Sequence, residues 1–387
     1  MTHGGPPRLQ REPAGEAKVS KYSTKFTKDS MYAQFRLKAG SLLLDYRPKG
    51  ADSIIEEFKV TLTNPLKLRL YHNLSPGDIV VFTAVIRDLH KAYPGLFVTD
   101  VRTSVQPLFE NNPHITDHGT FTGSDVVHVQ CQYSKGIANS NQGNKHFITA
   151  FHDDLERKLG MPIPVTAGRG EVFLEEKEKQ WSSRVWEILE ADPPFWIIDA
   201  GRKNDFTNKL WALDRFQAVV DAFPNTTFVQ IGAAGANHHH PPLKGENVIN
   251  EVGKTNIRQL IRLMYHAAGV ITPVSFPMHL SAATPIHSKH RFKHRPTIVI
   301  AGSREPASWE AYTNHTYLDN CGILPCSGAG GCWKARIEAL GDGDKKDKDL
   351  CTKPVKLATG QTIPKCMDLI TAEQVISIMK QYMEYTY

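Results

Sequence analysis

The fold is decided by residues 68–95, LRLYHNLSPGDIVVFTAVIRDLHKAYPG. The first four of them, Leu68–Tyr71, predict a β-strand. A helix follows over Ile79–Tyr93, because apolar residues recur there at helical spacing, and Pro94-Gly95 ends it. The next strand is predicted over Leu96–Val101. The segment is therefore a strand–helix–strand unit.

The same alternation restarts in the second half of the chain. Its predicted elements are a strand over Phe195–Ala200, a helix over Leu213–Phe223, a strand over Thr227–Gly232, a helix over Ile257–His266, and strands over Gly269–Thr272 and Thr297–Ala301. Such alternation implies parallel sheets covered by helices on both faces. A chain of 387 residues also exceeds the size of most single cores. The expected fold class is therefore α/β, with two doubly wound, Rossmann-like domains.

Composition and charge runs suggest where these domains begin and end. The predicted segments are a disordered tail over 1–30, a first domain over 31–175, a second domain over 181–317, a Cys-rich metal-binding segment over 318–367, and a C-terminal helix over 368–387. The tail is polar, and the fourth segment breaks the strand–helix alternation with glycines and a charged run. The final helix is expected to pack on the first domain.

The overall charge is mildly positive. The value of +6 comes from 46 basic and 40 acidic residues, which suits a phosphorylated small molecule and does not by itself indicate a nucleic acid. No apolar run approaches the length of a membrane span, and the N-terminal stretch lacks the apolar core of a signal peptide. We therefore expect a cytoplasmic protein without a membrane span, and the sequence predicts no particular oligomeric state.

Parallel sheets bind ligands beyond the carboxyl ends of their strands. Asp78 lies at such a position, at the start of the first helix. It could be a general base that takes a proton from an acceptor hydroxyl. It could equally be a helix-capping residue, because Asp is common there.

The second half offers groups for an anion. Glycine at 201 lets a backbone approach a phosphate, and Arg202 and Lys209 could neutralise a departing diphosphate. Loop cations of this kind are also common in solvent. His279 could bind a phosphate or a sugar, or could be a buried structural residue. The histidine run 238–240 is expected to be a solvated turn.

Five of the six cysteines crowd into the last 70 residues. Cys326, Cys332, Cys351 and Cys366 could supply four thiolates to a structural metal, iron or zinc, with Cys321 as a spare candidate. The alternative for each cysteine is a reduced, buried thiol.

The chain resembles the family 9 glycosyltransferases, the heptosyltransferase-like enzymes of GT-B fold, over residues 67 to 310. The resemblance rests on Gly77-Asp78, Asn111-Asn112-Pro113, Gly253-Lys254-Thr255, and the segment with Gly201, Lys209 and Trp211. The Asp-Thr-Gly-Pro-Met-His loop of the family falls on residues 274–279, where Pro, Met and His remain. Val274 replaces its acidic residue and Phe276 its glycine.

The resemblance implies an inverting transfer of a sugar, heptose or related, from an ADP-heptose-like donor to a hydroxyl acceptor, which is a glycan or a protein Ser or Thr. It implies that two domains face each other across a cleft and that Asp78 is the catalytic base. The implied donor-binding residues are Gly201, Arg202, Lys209, Trp211, Gly232, Lys254, Thr255, Ser275, Pro277, Met278 and His279. The cysteine segment is similar to the iron finger of autotransporter heptosyltransferases, a branch that modifies protein.

Three other functions remain open from the residues. The chain could be another sugar-nucleotide enzyme of GT-B fold, an epimerase or hydrolase. It could also be a degenerate transferase that binds a nucleotide without turnover. A metal-stabilised nucleic-acid-binding protein would explain the charge and the cysteines but would leave Asp78 and the two sheets without a role, so no nucleic-acid partner is expected.

Overall fold

The structure is a computed structural model of the chain. It describes residues 61–116, 121, 126–134, 136–137 and 145–384, preceded by the backbone of four short strands between 24 and 60. Most of the expected N-terminal tail lies outside these residues. The chain divides into two compact units, the first made of 1–138 and 147–171, and the second of 139–146 and 172–387.

The first unit contains two sheets. Its antiparallel sheet has the strand order β1-β2-β3-β4, and its parallel sheet has the order β6-β5-β7. The strands are β1 (Thr24–Lys25), β2 (Met31–Lys38), β3 (Ser41–Pro48), β4 (Glu56–Val60), β5 (Leu66–His72), β6 (Phe97–Thr103) and β7 (Val126–Gln130). The antiparallel sheet was not anticipated from the sequence, which gave no assignment for 31–65.

Two helices pack together in the described part of the first unit. Helix α1 spans Pro76–Ala92 and is buried along most of its length, while α2 spans Phe147–Leu159 and packs against it. Pro76 suits the first turn of α1, because a proline there loses no helical hydrogen bond. Since β5 ends at His72 and α1 begins at Pro76, the start of α1 lies at the carboxyl edge of β5.

The second unit is built on a six-stranded parallel sheet in the order β12-β10-β8-β13-β14-β15. Those strands are β8 (Phe195–Ile198), β10 (Thr227–Gln230), β12 (Val248–Asn250), β13 (Gly269–Pro273), β14 (Thr297–Gly302) and β15 (His315–Asp319). Two small antiparallel pairs lie outside it: β9 (Arg202–Lys203) with β11 (His238–His239), and β16 (Pro354–Lys356) with β17 (Thr362–Pro364). Strands β8, β13 and β14 are buried throughout, as expected for a parallel sheet covered on both faces.

The helices of the second unit are short apart from the last. They are α3 (Glu176–Lys179), α4 (Arg184–Leu189), α5 (Leu213–Asp221), α6 (Ile257–His266), α7 (Phe276–Ala283), α8 (Ala307–Glu310), α9 (Lys365–Asp368) and α10 (Ala372–Glu384). Within the described residues, none of the protein's helices is both long and apolar enough to cross a membrane.

The expected α/β class with parallel sheets is confirmed. The expectation that the last helix packs on the first domain is wrong. Val375 and Met379 of α10 belong to the same buried cluster as Phe216 of α5 and Ile298 of β14, so the helix completes the core of the second unit. Its apolar spacing predicted the helix correctly but could not indicate which core it would join.

Candidate active site

Asp78 lies in the first turn of α1, just past the carboxyl end of β5. The backbone N–H of Ser75 donates to its Oδ2 at 3.1 Å, so Asp78 does cap the helix. The hydroxyl of Tyr133 donates to the same oxygen at 2.9 Å. The side chain is half-buried. A carboxylate that is held from two sides yet partly accessible can serve as a base, so the capping bond and a catalytic role are compatible.

Tyr133 was not singled out from the sequence. It follows β7, so it lies at the same sheet edge as Asp78, and its ring packs against Phe147 and Phe151 of α2 at centroid distances of 4.6 and 5.3 Å. These contacts fix the direction of its hydroxyl. Its position after a parallel strand was the one signal in the sequence that could have identified it.

His72 is a second residue of this edge that the sequence did not reveal. It is the last residue of β5 and is buried, with its Nδ1 3.0 Å from the carbonyl oxygen of Cys131. Its Nε2 has no hydrogen-bond partner among the described residues. Burial lowers the pKa of the imidazole, so His72 is neutral at pH 7.

In the second unit, Asp199 directly follows the central strand β8. It is 6% exposed, and the hydroxyl of Ser275 donates to its Oδ2 at 2.8 Å. Thr272 lies 3.4 Å from the same oxygen. Burial raises the pKa of Asp199 to about 6, against the effect of these two hydroxyls. Asp199 was also missed from the sequence.

The histidine run is not the solvated turn that the sequence suggested, because the side chain of His240 is only 7% exposed. Its ring lies over Gly201 and Gly232. A Cβ built on either glycine would come within 2.4 Å of His240, or closer. The imidazole of His240 therefore occupies the space beside these two glycines, where the sequence had predicted a phosphate.

The predicted donor cations differ in their surroundings. Lys209 Nζ lies 2.8 Å from the buried carboxylate of Glu305. Arg202 lines an open groove of about 970 Å³ together with Thr207 and His239. Lys254 lies on the surface beside Glu251, at 3.9 Å, and Thr255 is half-buried in the following turn.

Four other predicted donor residues are buried. The Trp211 indole donates to the carbonyl of Ile370 at 2.8 Å in the core, and Met278 is fully enclosed. His279 is 5% exposed, its Nδ1 is 2.7 Å from the hydroxyl of Tyr312, and burial lowers its pKa to about 3. These contacts are the ones expected if His279 is a buried structural residue. Met278 and Pro277 are buried in the first turn of α7, whereas Trp211 packs against Phe216 in the core of the second unit.

The four cysteines predicted as ligands line one small cavity of about 10 Å³. Cys326, Cys332, Cys351 and Cys366 all contribute to it, and Cys321 does not. Nevertheless, the described residues contain no group of three or more His, Cys, Asp or Glu side chains placed to hold a metal ion. The predicted metal centre is thus not shown, although its four thiols are brought together.

Comparison with known proteins decides the family. The sequence model of glycosyltransferase family 9 (heptosyltransferase) matches residues 125–321, half of the chain. The chain belongs to glycosyltransferase family 9. The resemblance inferred from the motifs is confirmed, and the enzyme is a glycosyltransferase.

Solved structures agree with the fold. The family 9 glycosyltransferase from Veillonella parvula DSM 2008 is similar to this chain with a TM-score of 0.55 and 14% identity, covering 83% of this chain and 97% of that one. The iron-containing dodecameric glycosyltransferase TibC from enterotoxigenic E. coli H10407 is similar with a TM-score of 0.53 and 15% identity, covering 89% and 83%. A TibC complex with ADP-D-β-D-heptose is similar with a TM-score of 0.51 and 15% identity, covering 89% and 82%. No curated protein sequence matches the chain.

Proposed function

We propose that this family 9 enzyme transfers a heptose from ADP-heptose to a hydroxyl acceptor with inversion, and that Asp78 is the general base. The observation that carries the proposal is the Asp78 carboxylate, which is oriented by Ser75 and Tyr133 at the carboxyl edge of a parallel sheet. A base so placed can take the proton of the acceptor oxygen as that oxygen attacks the anomeric carbon. A glycan, or a protein Ser or Thr, remains the expected acceptor.

The donor is proposed to bind at the carboxyl edge of the parallel sheet in the second unit. Arg202, Lys209, Lys254 and Thr255 are the polar side chains proposed to meet its diphosphate. Residues 274–279, which include Ser275, are proposed as the donor loop. Lys209 is balanced by Glu305, so the arriving diphosphate shares that ammonium with a carboxylate. ADP-heptose is proposed as the donor because TibC, which is similar in fold, has been solved with ADP-D-β-D-heptose.

Ligand stabilisation and product analysis test this function. ADP-heptose should raise the melting temperature of the purified protein more than UDP-glucose or GDP-mannose does, because a ligand that binds only the folded state stabilises it. Incubation with an acceptor should release ADP and give a product of inverted anomeric configuration, read from its NMR couplings. A retained configuration would exclude inversion. Failure of every nucleotide sugar to stabilise the protein would contradict the donor assignment.

We also propose that Cys326, Cys332, Cys351 and Cys366 hold a structural iron or zinc ion. Four thiol groups around one cavity form a donor set suited to either metal, and the cavity has about the volume that one small occupant needs. The description of TibC as iron-containing favours iron. The ion would hold the cysteine segment together and would take no part in the transfer.

Metal analysis distinguishes this site from four reduced thiols. Protein purified without added metal should carry about one iron or zinc ion per chain. Cys351→Ser should lose the ion and melt at a lower temperature, whereas Cys321→Ser, outside the cavity, should keep both the ion and the melting temperature. Folded wild-type protein without metal would reject the proposal.

A further inference from the structure

The carboxylate of Asp199 is linked by hydrogen bonds to the hydroxyl groups of Ser275 and Thr272. Ser275 Oγ donates to Asp199 Oδ2 at 2.8 Å, and Thr272 Oγ1 lies 2.8 Å from Ser275 Oγ. Both hydroxyl residues come from the end of β13, whereas Asp199 comes from the end of β8, the neighbouring strand. The carboxylate therefore ties the loop to the central strand of the sheet.

The Ser275 hydroxyl does not cap the helix that follows it. Ser275 is the N-cap residue of α7, where a serine side chain normally accepts a hydrogen bond from a backbone N–H of the first turn. Its side chain makes no such bond here, because it points to Asp199 instead. The hydroxyl therefore does not screen the positive, N-terminal end of the α7 dipole. This favours an anion in front of the helix.

The other oxygen of Asp199 faces a second buried group. His240 Nδ1 lies 3.6 Å from Asp199 Oδ1, and neither ring nitrogen of His240 has a hydrogen-bond partner among the described residues. The ring lies over Gly201 and Gly232, which follow β8 and β10. Loops from three neighbouring strands therefore converge on this one carboxylate, and an unpartnered polar ring completes the group.

The donor loop itself lacks a carboxylate. Val274 stands where the family motif has an acidic residue, and its side chain is 3% exposed in the core. We propose that Asp199 is the positioning residue of the donor loop, supplying from the adjacent strand the carboxylate that position 274 lacks and orienting Ser275 so that the start of α7 receives the donor diphosphate. This inference deepens the proposed function and rests on it. Since Asp199 is buried, it acts through Ser275 and does not touch the donor.

A double-mutant cycle tests the coupling. Asp199→Ala and Ser275→Ala should each weaken ADP-heptose binding, measured by calorimetry, about tenfold, because each removes the hydrogen bond between Asp199 and Ser275. The double variant should bind no more weakly than the weaker single variant, since both changes break one link. Asp199→Asn should bind nearly as well as the wild type, because its amide oxygen can still accept from Ser275.

The matched control is Asp192→Ala in the same unit. Asp192 also accepts a serine hydroxyl at 2.8 Å, from Ser183, and its other carboxylate oxygen accepts from Lys289 Nζ at 2.6 Å. It should lower the melting temperature and leave the dissociation constant of ADP-heptose unchanged. A purely structural role for Asp199 would give the same result as this control.

The outcomes of these binding experiments separate the positioning role of Asp199 from the proposed function. Unchanged donor binding in Asp199→Ala and Ser275→Ala, or additive losses in the double variant, would overturn the positioning role while the proposed function stands. Loss of binding in Asp199→Asn equal to that in Asp199→Ala would overturn the role of the Ser275 hydrogen bond. Absence of donor binding by the wild type would overturn the proposed function and this inference with it.

Discussion

Each unit has a carboxylate just beyond the carboxyl end of a parallel strand, but the two carboxylates differ in burial and in hydrogen-bond partners. Asp78 follows β5 in the first unit and Asp199 follows β8 in the second, each at the carboxyl end of a strand inside a parallel sheet. Asp78 is half-buried and accepts from a backbone N–H and a phenol, whereas Asp199 is enclosed and accepts from two hydroxyls. Strand order alone therefore does not decide whether such a group meets a ligand or supports a loop. The surrounding side chains decide it.

The largest effect expected from this difference concerns turnover. Asp78→Asn keeps an oxygen for the Ser75 N–H but has no basic carboxylate, so kcat should fall by about 10²–10⁴-fold. Donor affinity should stay at the wild-type value, in contrast to Asp199→Ala. Steady-state kinetics and calorimetry with ADP-heptose measure the two quantities separately.

Gln374→Ala provides the control for helix capping. Gln374 Oε1 accepts from the Thr371 N–H at 2.8 Å and caps α10 as Asp78 caps α1. Its loss should cost about 1 kcal/mol of stability without changing kcat. Wild-type kcat in Asp78→Asn would remove Asp78 from the chemistry and make the two caps equivalent.

The next effect concerns stability and pH. Burial raises the pKa of Asp199 to about 6, and the titratable groups near it include His240 and His238, whose own pKa values burial lowers. A carboxyl whose folded pKa is raised binds more protons when folded, so the protein loses stability as the pH rises from about 4 through 6. Asp199→Asn avoids this loss and should be more stable than the wild type by up to about 3 kcal/mol at pH 8, with little difference near pH 4. Urea denaturation at both pH values measures it.

Asp88→Asn should show the opposite sign. Burial alone would raise the pKa of Asp88, but hydrogen bonds from His152, Arg87 and Thr166 lower it overall. Its carboxylate therefore stabilises the fold above the unfolded pKa, and that contribution disappears in acid. The Asn variant should be less stable than the wild type at pH 8 and approach it as the pH falls. Parallel pH profiles for the two variants would mean that the hydrogen-bond partners of these two buried carboxyls do not set the direction of their pKa shifts.

The smallest effect concerns the orientation of Asp78. Tyr133→Phe removes one hydrogen bond to the carboxylate but keeps the ring packing on α2, so kcat should fall about tenfold with donor affinity unchanged. Tyr93→Phe is the control, because its hydroxyl donates to the Pro162 carbonyl at 2.9 Å. It should leave kcat at the wild-type value. Equal kinetics in both variants would show that Asp78 needs no help from Tyr133.

Prediction from the sequence succeeded where the signal was local. The apolar spacing of 79–93 and 257–266 identified α1 and α6, because the buried face of a helix repeats along a short stretch of chain. It failed for β2 and β3, whose residues gave no assignment, and for the environment of His240, which depends on two glycines distant in the chain. The clustering of cysteines along the chain predicted a shared site. The structure shows that four of them line one cavity and that Cys321 does not.

The sequence by itself determined the α/β class, the family and the place of Asp78 at a strand end, because periodicity and short motifs are properties of neighbouring residues. Only the tertiary structure decided that Tyr133 holds Asp78, that α10 joins the second core, and that Asp199 lies between His240 and Ser275. Those contacts join residues from different strands. Their geometry depends on how the sheet aligns the strand ends, which no local pattern specifies.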